Sequence, residues 1–469
     1  MATSAAGSYA AKLTPGAHKG RLNLHEAHDP AQVLGPKVQA LARLISESSR
    51  TVVLTGAGIS TSAGIRDFRG PEGIWTKQKK GEPIVDGADF TTAAPTLAHV
   101  ALVELHHRGL IKFLISQNVD GLHLRSGFPR DALAELHGNV FAEECRACDR
   151  EYLRCYDVDS IGLRETGRAC DQCGEALYDK LLDWNDPLPE VGNQSQNQRW
   201  PFSTRSSEKP VFRAQSELRR AEEETKLADL CIVMGSSMQM IPSRGLPQRT
   251  LRSGGKIVVL NLSNTHLDKQ ASVVIRADLD EVMLRLLDAL HLSAPVYPAR
   301  RKLRIRSRMG NGPKDRIYLS VDPMNGESLS FIRSVLFSCS GRSTEVFSEP
   351  FSVEMLVDEQ ESKAFDTAVR ITVPSQTQRQ VDIPKLVEQI VIEVDAYDDD
   401  SKYTDSVQRI RSQIETQEST PIDISRAEPA AYFFKSFRQR GFATCALCGE
   451  DVHGSRKSRH LGLCVADQR

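Results

Sequence analysis

The sequence has no excess of either charge and no long hydrophobic run. Its 60 Lys and Arg residues are balanced by 61 Asp and Glu residues, so no global positive field favours nucleic acid as a partner. No apolar run approaches the roughly 20 residues that a membrane-spanning helix needs. The first residues, MATSAAGSYAAKL, lack the hydrophobic centre of a signal peptide. We therefore expect a protein that is made and kept inside the cell, with no membrane partner.

Most of the ten cysteines lie in CxxC pairs. In an intracellular chain this arrangement favours metal binding over disulfides. Cys145 and Cys148 form one pair, and Cys170 and Cys173 form a second pair about twenty residues later, a spacing typical of zinc sites. Four thiolates complete a tetrahedral coordination sphere, so the predicted zinc ion is structural. Cys155 is left over, and we expect it to be buried rather than bound to metal.

The C-terminal end carries a second predicted metal site. Its ligand pattern is Cys445-x2-Cys448-x11-His460-x3-Cys464. A helix would place His460 and Cys464 on one face, opposite the CxxC turn. Metal binding can supply the folding energy that so small a module cannot obtain from a core. We predict a C2HC zinc finger here.

A glycine-containing turn follows the first predicted strand. The apolar run Val52-Val53-Leu54 predicts a buried strand, and Thr55-Gly56-Ala57-Gly58 follows it, before small residues that can begin a helix. Glycines let the backbone approach a pyrophosphate, and a helix N-terminus favours its negative charge. The third glycine of the dinucleotide fingerprint is replaced by Thr61, so this turn alone indicates either a nucleotide site or an ordinary tight turn. The following loop, DFRGPEGIW, adds a charge pair and two aromatic side chains.

Apolar strands alternate with helical segments over the first two thirds of the chain. Predicted strands at 111–116, 230–234 and 256–262 are each followed by polar residues, and helices are predicted over 96–109 and 278–290. Asp278 and Glu281 fit a capping box for the last helix. Ligands bind beyond the carboxyl ends of strands in open parallel sheets. The alternation predicts an α/β fold with a doubly wound, Rossmann-like parallel sheet.

The composition changes after Pro298. The run RRKLRIRSR indicates either a solvated linker or edge strand, or a nuclear-import or nucleic-acid patch. Alternating apolar runs then predict strands near 317–321, 331–337, 351–357, 368–373 and 386–394, which suggest a β-sandwich. An acidic and then polar stretch follows and is predicted to be a linker.

Several motifs together resemble the sirtuin family. They are GAGIS, DFRG, Gly73-Ile74-Trp75, QNVDGLH, ELHGN, the two CxxC pairs and Gly235-Ser236-Ser237, over roughly residues 8–292. The SYAAKLTP arm, SGFPRDALAELHGN and the stretch around Asp183-Trp184-Asn185 are similar to the nuclear class IV, sirtuin-6-like branch. One residue departs from the family: Arg66 stands where GIPDFRG commonly has proline, which adds charge and removes a fixed φ.

The resemblance over residues 8–292 and the sequence patterns beyond it together predict a domain organisation. Residues 1–34 would form an N-terminal arm and 35–295 the catalytic domain, with a zinc module at about 140–180 and an insertion loop at about 191–216. Residues 300–395 would form the β-rich domain, 396–430 a linker and 431–469 the finger.

The resemblance also implies an NAD-dependent protein lysine deacylase. His137 matches the family's general base, and Asn118 and Asp120 match its contacts to the nicotinamide carboxamide. An ordinary imidazole pKa near 6.5 suits proton removal at neutral pH. Trp184 would help to shape the acyl tunnel. The positions that match cofactor contacts are Gly56, Ala57, Gly58, Thr61, Asp67, Phe68, Arg69, Trp75, Gln117, Asn118, Asp120, Gly235, Ser236, Ser237, Asn261, Ser263 and Leu279.

The implied substrates are acyl-lysine proteins of chromatin, with histone tails foremost, and the implied location is the nucleus. Two other functions stay open at this point: mono-ADP-ribosyl transfer to a protein, and a non-enzymatic scaffold for chromatin or ubiquitin. The finger spacing is similar to that of ubiquitin-binding fingers of repair proteins, although Gly462 replaces their usual Asp. The β-rich segment faintly resembles acyl-lysine-reading YEATS sandwiches, but it lacks their Trp-Gly pair, and a plain structural sandwich is the simpler interpretation.

Overall fold

A computed structural model describes residues 19–183 except 85, 86 and 155, residues 213–294, Tyr9 and Leu13, and separate elements beyond residue 300. The predicted positions Trp184, Cys448, His460 and Cys464 and the insertion loop up to residue 212 lie outside the described residues. Cys155 does so too, and of Cys445 only the backbone is described. Within these described parts, no helix has the length and apolar character needed to cross a bilayer.

The centre of the molecule is a six-stranded parallel sheet. Its order is β10-β9-β8-β1-β2-β3, and every neighbouring pair is parallel. The strands are β1 (Thr51–Thr55), β2 (Phe113–Ser116), β3 (Leu133–Glu135), β8 (Leu230–Met234), β9 (Lys256–Leu260) and β10 (Val273–Ile275). This parallel order confirms the predicted doubly wound sheet. Its strands were recognisable in the sequence because strands buried on both faces give continuous apolar runs rather than alternation.

Helices cover both faces of this sheet. They are α1 (Ala31–Glu47), α2 (Ile74–Lys80), α3 (Leu97–His107), α4 (Leu122–Arg125), α5 (Arg213–Leu227), α6 (Leu246–Arg252) and α7 (Leu279–Ala289). Successive residues of β1 show the two faces: Val53 packs in the core shared with α1, α3 and α7, whereas Val52 and Leu54 pack in the core shared with α5 and α6.

Two local predictions for this domain are wrong. The glycine turn does not begin an α-helix; it leads into short 3-10 turns at Ala57–Ile59 and Thr61–Ala63, which end at Gly64 with φ +84°. The predicted capping box of α7 is also absent. Asp278 makes no side-chain capping bond, and Glu281 instead pairs with Arg285 at 3.0 Å.

A four-stranded antiparallel sheet, ordered β5-β4-β7-β6, forms a small module beside the parallel sheet. Its strands are β4 (Gly138–Cys145), β5 (Glu151–Leu153), β6 (Glu165–Ala169) and β7 (Ala176–Leu181). The first of them begins directly after His137. The module is therefore joined to the end of the parallel sheet at the predicted general base.

The segment after residue 300 forms two four-stranded sheets, ordered β15-β12-β11-β18 and β14-β13-β16-β17. The strands are β11 (Arg300–Met309), β12 (Arg316–Pro323), β13 (Ser334–Cys339), β14 (Arg342–Val346), β15 (Phe351–Leu356), β16 (Asp366–Thr372), β17 (Gln378–Pro384) and β18 (Ile390–Asp395). Their inward residues share one core that includes Ile305, Phe337 and Ile371. This packing of two sheets agrees with the predicted β-sandwich.

The arginine-rich run forms a central strand, so its interpretation as a solvated linker or edge strand is wrong. Strand β11 pairs with β12 on one side and β18 on the other. Leu303 and Ile305 are buried in the core, while Arg306 on the outer face pairs with Asp322 at 3.3 Å. Alternation of apolar and basic residues has the period of a half-buried strand.

Part of the predicted linker is helical. Helix α8 spans Ser401–Glu418, and Ile410 and Ile414 on it are each only 8% exposed. Their four-residue spacing places both on one helix face. Burying an isoleucine side chain contributes about 1.5–3 kcal/mol, which explains why this polar stretch does not remain extended. Three short strands follow: β19 (Phe434–Ser436), β20 (Phe442–Cys445) and β21 (Asp451–His453).

Candidate active site

A cavity of about 650 Å³ lies at the carboxyl edge of the parallel sheet, where the loops after β1, β2, β8 and β9 meet. It gathers all the predicted cofactor positions except Gly56, whose carbonyl accepts a hydrogen bond from the lining residue Asn118. The predicted residues that line it are Ala57, Gly58, Thr61, Asp67, Phe68, Arg69, Trp75, Gln117, Asn118, Asp120, His137, Gly235, Ser236, Ser237, Asn261, Ser263 and Leu279. These positions converge because parallel strands end at the same edge of the sheet.

Two glycine loops touch at the floor of this cavity. The Gly58 N–H donates to the Gly235 carbonyl at 2.9 Å. A Cβ atom on Gly58 would lie 2.8 Å from the Gly235 Cα, which is closer than van der Waals contact allows. Glycine at both positions therefore lets the loops after β1 and β8 pack backbone against backbone.

Asn118 and Asp120 are held by the first of these loops. The Asn118 amide donates to the Gly56 carbonyl and to Ser60 Oγ, each at 3.2 Å. Ser60 Oγ in turn donates to Asp120 Oδ2 at 2.7 Å, and the Leu122 N–H donates to Asp120 Oδ1 at 3.0 Å. Burial raises the pKa of Asp120. Both side chains are thus fixed at the cavity wall by bonds that the sequence motif alone does not reveal.

His137 projects from the loop between β3 and β4. Its Nδ1 lies 2.7 Å from the Gln117 carbonyl oxygen, which can only accept, so Nδ1 carries the proton and Nε2 has a free lone pair. Nε2 is buried and has no hydrogen-bond partner among the described residues. Burial lowers the pKa of His137 below 6.5, and nearby Arg69 lowers it further, against the opposing effect of the Gln117 bond. The imidazole is therefore neutral at pH 7 and able to accept a proton.

Aromatic and cationic side chains form one wall of the cavity. The Phe68 and Trp75 ring centroids are 4.7 Å apart, and the Arg69 guanidinium lies 4.6 Å from the Trp75 ring centroid. Burial lowers the pKa of Arg69 to about 10, so this group remains cationic at neutral pH. A positive charge on an apolar wall suits an anionic ligand that also carries a flat ring.

Arg66 also lines the cavity. Its Nη1 donates to the carbonyl oxygen of Glu72 at 3.3 Å. This bond ties two points of the loop together through a side chain. A proline at position 66 would instead fix the backbone φ angle there.

The N-terminal arm contributes to the site, and its composition gave no sign of this. Arg69 Nε donates to the Lys19 carbonyl at 3.0 Å, and the Asn23 N–H donates to Thr76 Oγ1 at 3.1 Å. Farther out, Tyr9 packs edge-on against Phe68 with ring centroids 6.4 Å apart. The arm therefore lies along the loop between β1 and α2. Other lining residues that sequence reasoning missed include Leu13, Leu24, Glu26, Ser62, Gln239, Met240 and Asp280.

Glu135 lies two residues before His137 and helps to hold the loop that carries it. It is buried at the end of β3, and Asn139 donates to its Oε1 at 2.8 Å. The same Asn139 side chain accepts from the Phe141 N–H at 2.9 Å. The residues before and after His137 are thus tied together. Burial raises the pKa of the Glu135 carboxyl to about 7.

We expect Glu135→Gln to remove a pH dependence of stability. A carboxyl with a raised pKa makes the folded state bind more protons than the unfolded state between about pH 4.5 and 7, so its contribution to stability falls as pH rises through that window. A shift of this size corresponds to about 3 kcal/mol. Urea unfolding between pH 5.5 and 8 should show the parent protein losing stability relative to the variant. Exposed Glu47→Gln is the matched control, and parallel curves for all three proteins would contradict the assignment.

The four predicted zinc ligands come together at one end of the small module. Cys145, Cys148, Cys170 and Cys173 place their sulfur atoms within 4.8 Å of one another. The Cys145–Cys173 and Cys148–Cys170 sulfur pairs are 3.4 and 3.6 Å apart. Zn–S bonds of about 2.3 Å in a tetrahedron require sulfur separations of about 3.8 Å. The set therefore fits a structural zinc ion with no open coordination position.

Comparison with known proteins agrees with this site. The profile of the Sir2 family matches residues 56–94 and 83–242. The chain is 44% identical over 292 residues to the NAD-dependent protein deacetylase SRT1 of Arabidopsis thaliana, an alignment that covers 62% of this chain and 56% of that protein. It is 38% identical over 299 residues to the NAD-dependent protein deacetylase Sirt6 of Drosophila melanogaster, covering 62% of this chain and 86% of the relative.

A solved complex of Sir2 with a p53 peptide and NAD⁺ is 32% identical, with a TM-score of 0.39, and the match covers 54% of this chain and 98% of that one. The chain spans little more than half of the plant relative but most of the fly relative. With its profile match and its identity to a relative that it covers almost throughout, the chain belongs to the Sir2 family of sirtuins.

Proposed function

We propose that the protein is an NAD-dependent protein lysine deacylase. The observation that carries the proposal is the neutral His137 imidazole, whose unbonded Nε2 is buried at a cavity that also holds Asn118 and Asp120. Relatives that match this part of the chain are named NAD-dependent protein deacetylases. NAD is the proposed cosubstrate, and zinc in the four-cysteine cluster is the proposed structural metal.

When bound, NAD would supply an electrophilic ribose carbon with nicotinamide as its leaving group. The residues of this chain have distinct proposed tasks there. Asn118 and Asp120 would orient the nicotinamide carboxamide, and His137 Nε2 would take a proton from a ribose hydroxyl. Nδ1 can keep its own proton throughout, because the Gln117 carbonyl holds it. Arg69 and Trp75 would face the dinucleotide, the guanidinium through its charge and the ring through its flat surface.

The proposed substrates are acyl-lysine side chains of chromatin proteins, histone tails in particular, and the proposed location is the nucleus. The support is the resemblance of the motifs to the class IV branch, together with relatives named Sirt6 and sirtuin-7. The tail ligands Cys445, Cys448, His460 and Cys464 are proposed to hold a second zinc ion. The proposal that this finger binds ubiquitin rests on ligand spacing alone. In the catalytic domain, Trp184 is proposed to contact the acyl chain.

Purified protein should release nicotinamide from NAD only when an acylated peptide is present. The test uses histone peptides that carry acetyl-lysine or myristoyl-lysine, with the unmodified peptide as control, and NAD labelled in its ADP-ribose part. We expect the label in O-acyl-ADP-ribose, in step with the loss of acyl groups. The more efficient peptide would define the chain-length preference.

The same assay separates the rival functions. Label that stays on the protein would assign mono-ADP-ribosyl transfer instead. Absence of nicotinamide release from folded, zinc-loaded protein would leave a binding role for the chain and overturn the proposed enzyme.

A further inference from the structure

Helix α8, which lies beyond the β-sandwich, packs against the catalytic domain. Ile410 and Ile414 on α8 form a buried cluster with Leu97 of α3 and Leu284 of α7. All four are at most 8% exposed. Val407 and Ala294 pack at the edge of this cluster. A helix from the C-terminal part of the chain therefore completes an apolar surface shared by two helices of the catalytic domain.

An ion pair at the border of this contact orients the helix. Arg411 Nη2 lies 3.3 Å from Asp288 Oδ1, and the two side chains are 43% and 45% exposed. A half-exposed pair contributes little energy. The pair acts on orientation instead. Arg411 directly follows the buried Ile410, so its contact with Asp288 limits the rotation of α8 over α7.

The two helices that share this apolar cluster with α8, α3 and α7, also hold the nucleotide loop, the segment from Gly56 to Gly64. Thr96, the N-cap of α3, donates from Oγ1 to the Ile59 carbonyl at 3.1 Å. On α7, Asp280 accepts from the Ala98 N–H of α3 at 2.8 Å and from Ser62 Oγ at 2.7 Å. The start of α3 and the start of α7 are thus bonded to each other and to the loop.

These contacts form a short continuous path. Leu97 lies in the same buried cluster as Ile410 and Ile414 of α8. In sequence it is flanked by Thr96 and Ala98, the two residues that hold the loop and Asp280. At the end of this path that is farthest from α8, the lining of the cavity includes Thr61, Ser62 and Asp280. Any shift of α3 against α7 would therefore change the position of the Ser62 hydroxyl and the backbone next to it.

We propose that α8 braces the nucleotide loop from within the same chain, and that Ile410 and Ile414 are positioning residues for dinucleotide binding. The C-terminal extension would then set the affinity of the catalytic domain for its dinucleotide, in addition to any partner it recruits. This inference rests on the proposed function, since NAD is the ligand of the cavity there.

The test compares the full chain with Ile410→Ser/Ile414→Ser and with the matched control Gln408→Ser/Gln413→Ser, which changes two exposed positions of the same helix. Couplings of this kind change affinity about fivefold. We expect the KM for NAD to rise about fivefold in the isoleucine variant, with kcat within twofold of the parent protein. Hydrogen exchange of the amides in 56–64 should become faster. The control should match the parent in all three measurements.

A charge exchange keeps the proposal testable if loss of the isoleucines unfolds the helix. Arg411→Glu and Asp288→Arg should each raise the KM for NAD about twofold, and the double variant should return it to the parent value. Unchanged KM and unchanged exchange in 56–64 in the isoleucine variant would overturn the brace. A parent protein that uses no NAD would refute the proposed function instead, and hydrogen exchange would still decide whether α8 restrains the loop.

Discussion

Replacing His137 with alanine is expected to lower kcat for NAD-dependent deacylation by about 10² to 10⁴-fold, the usual contribution of a positioned general base. The effect should fall on kcat more than on the KM for NAD, because Nε2 has no hydrogen-bond partner among the described residues and acts only when a proton is transferred. Initial rates of nicotinamide release at saturating peptide measure both constants. His107→Ala is the matched control, since that imidazole is exposed on α3.

The pH profile gives an independent check on His137. Its pKa is lowered by burial, and the base must be neutral to accept a proton. The acidic limb of kcat/KM should therefore lie below pH 6.5, and activity should stay level as pH rises from 7 to 8. Equal activity of His137→Ala and the parent protein would assign proton removal to another group. A limb above pH 6.5 would contradict the lowered pKa of His137, because kcat/KM reports the groups of the free enzyme.

The parallel sheet, and the meeting of polar residues at its carboxyl edge, could be predicted because the strands are recognisable in the local sequence. Strands such as Leu230–Met234 are buried on both faces and appear as short apolar runs. Polar residues after each strand meet at one edge by topology alone, which is how Asn118 and Ser237 come to line the same cavity. The resemblance to the sirtuin family then suggested roles for individual residues, which the spacing of strands and motifs does not give.

The features that were missed depend on long-range contacts. Strand β14, Arg342–Val346, is almost entirely exposed and polar, so it carries no apolar period. Helix α8 has a polar sequence apart from one narrow stripe, and that stripe is recognisable only beside Leu97 and Leu284. The bond between Ser62 and Asp280 joins residues 218 positions apart. No pattern within a local window contains such pairs.

The zinc module is expected to depend on its metal for folding. Its buried cluster consists of Cys145, Tyr152, Cys170 and Leu177, with Cys148 packed against it. Three of these five residues are metal ligands, so this end of the module has almost no core of its own without the ion. Structural zinc contributes about 10–16 kcal/mol of apparent binding energy in small zinc-finger peptides, and much of that energy would be lost with one thiolate.

Cys170→Ala should therefore release one equivalent of zinc per chain, lower the melting temperature and abolish deacylation. Activity should fail because the module is coupled to the base: the Leu182 N–H, just after β7, donates to the His137 carbonyl at 3.1 Å. Zinc content, thermal unfolding and nicotinamide release would be measured on one preparation. Gln172→Ala, an exposed change in the same turn, is the matched control. Retention of the parent zinc content and melting temperature by Cys170→Ala would show that the cluster is not what holds the module, and the loss of activity would then need a cause within the cavity itself.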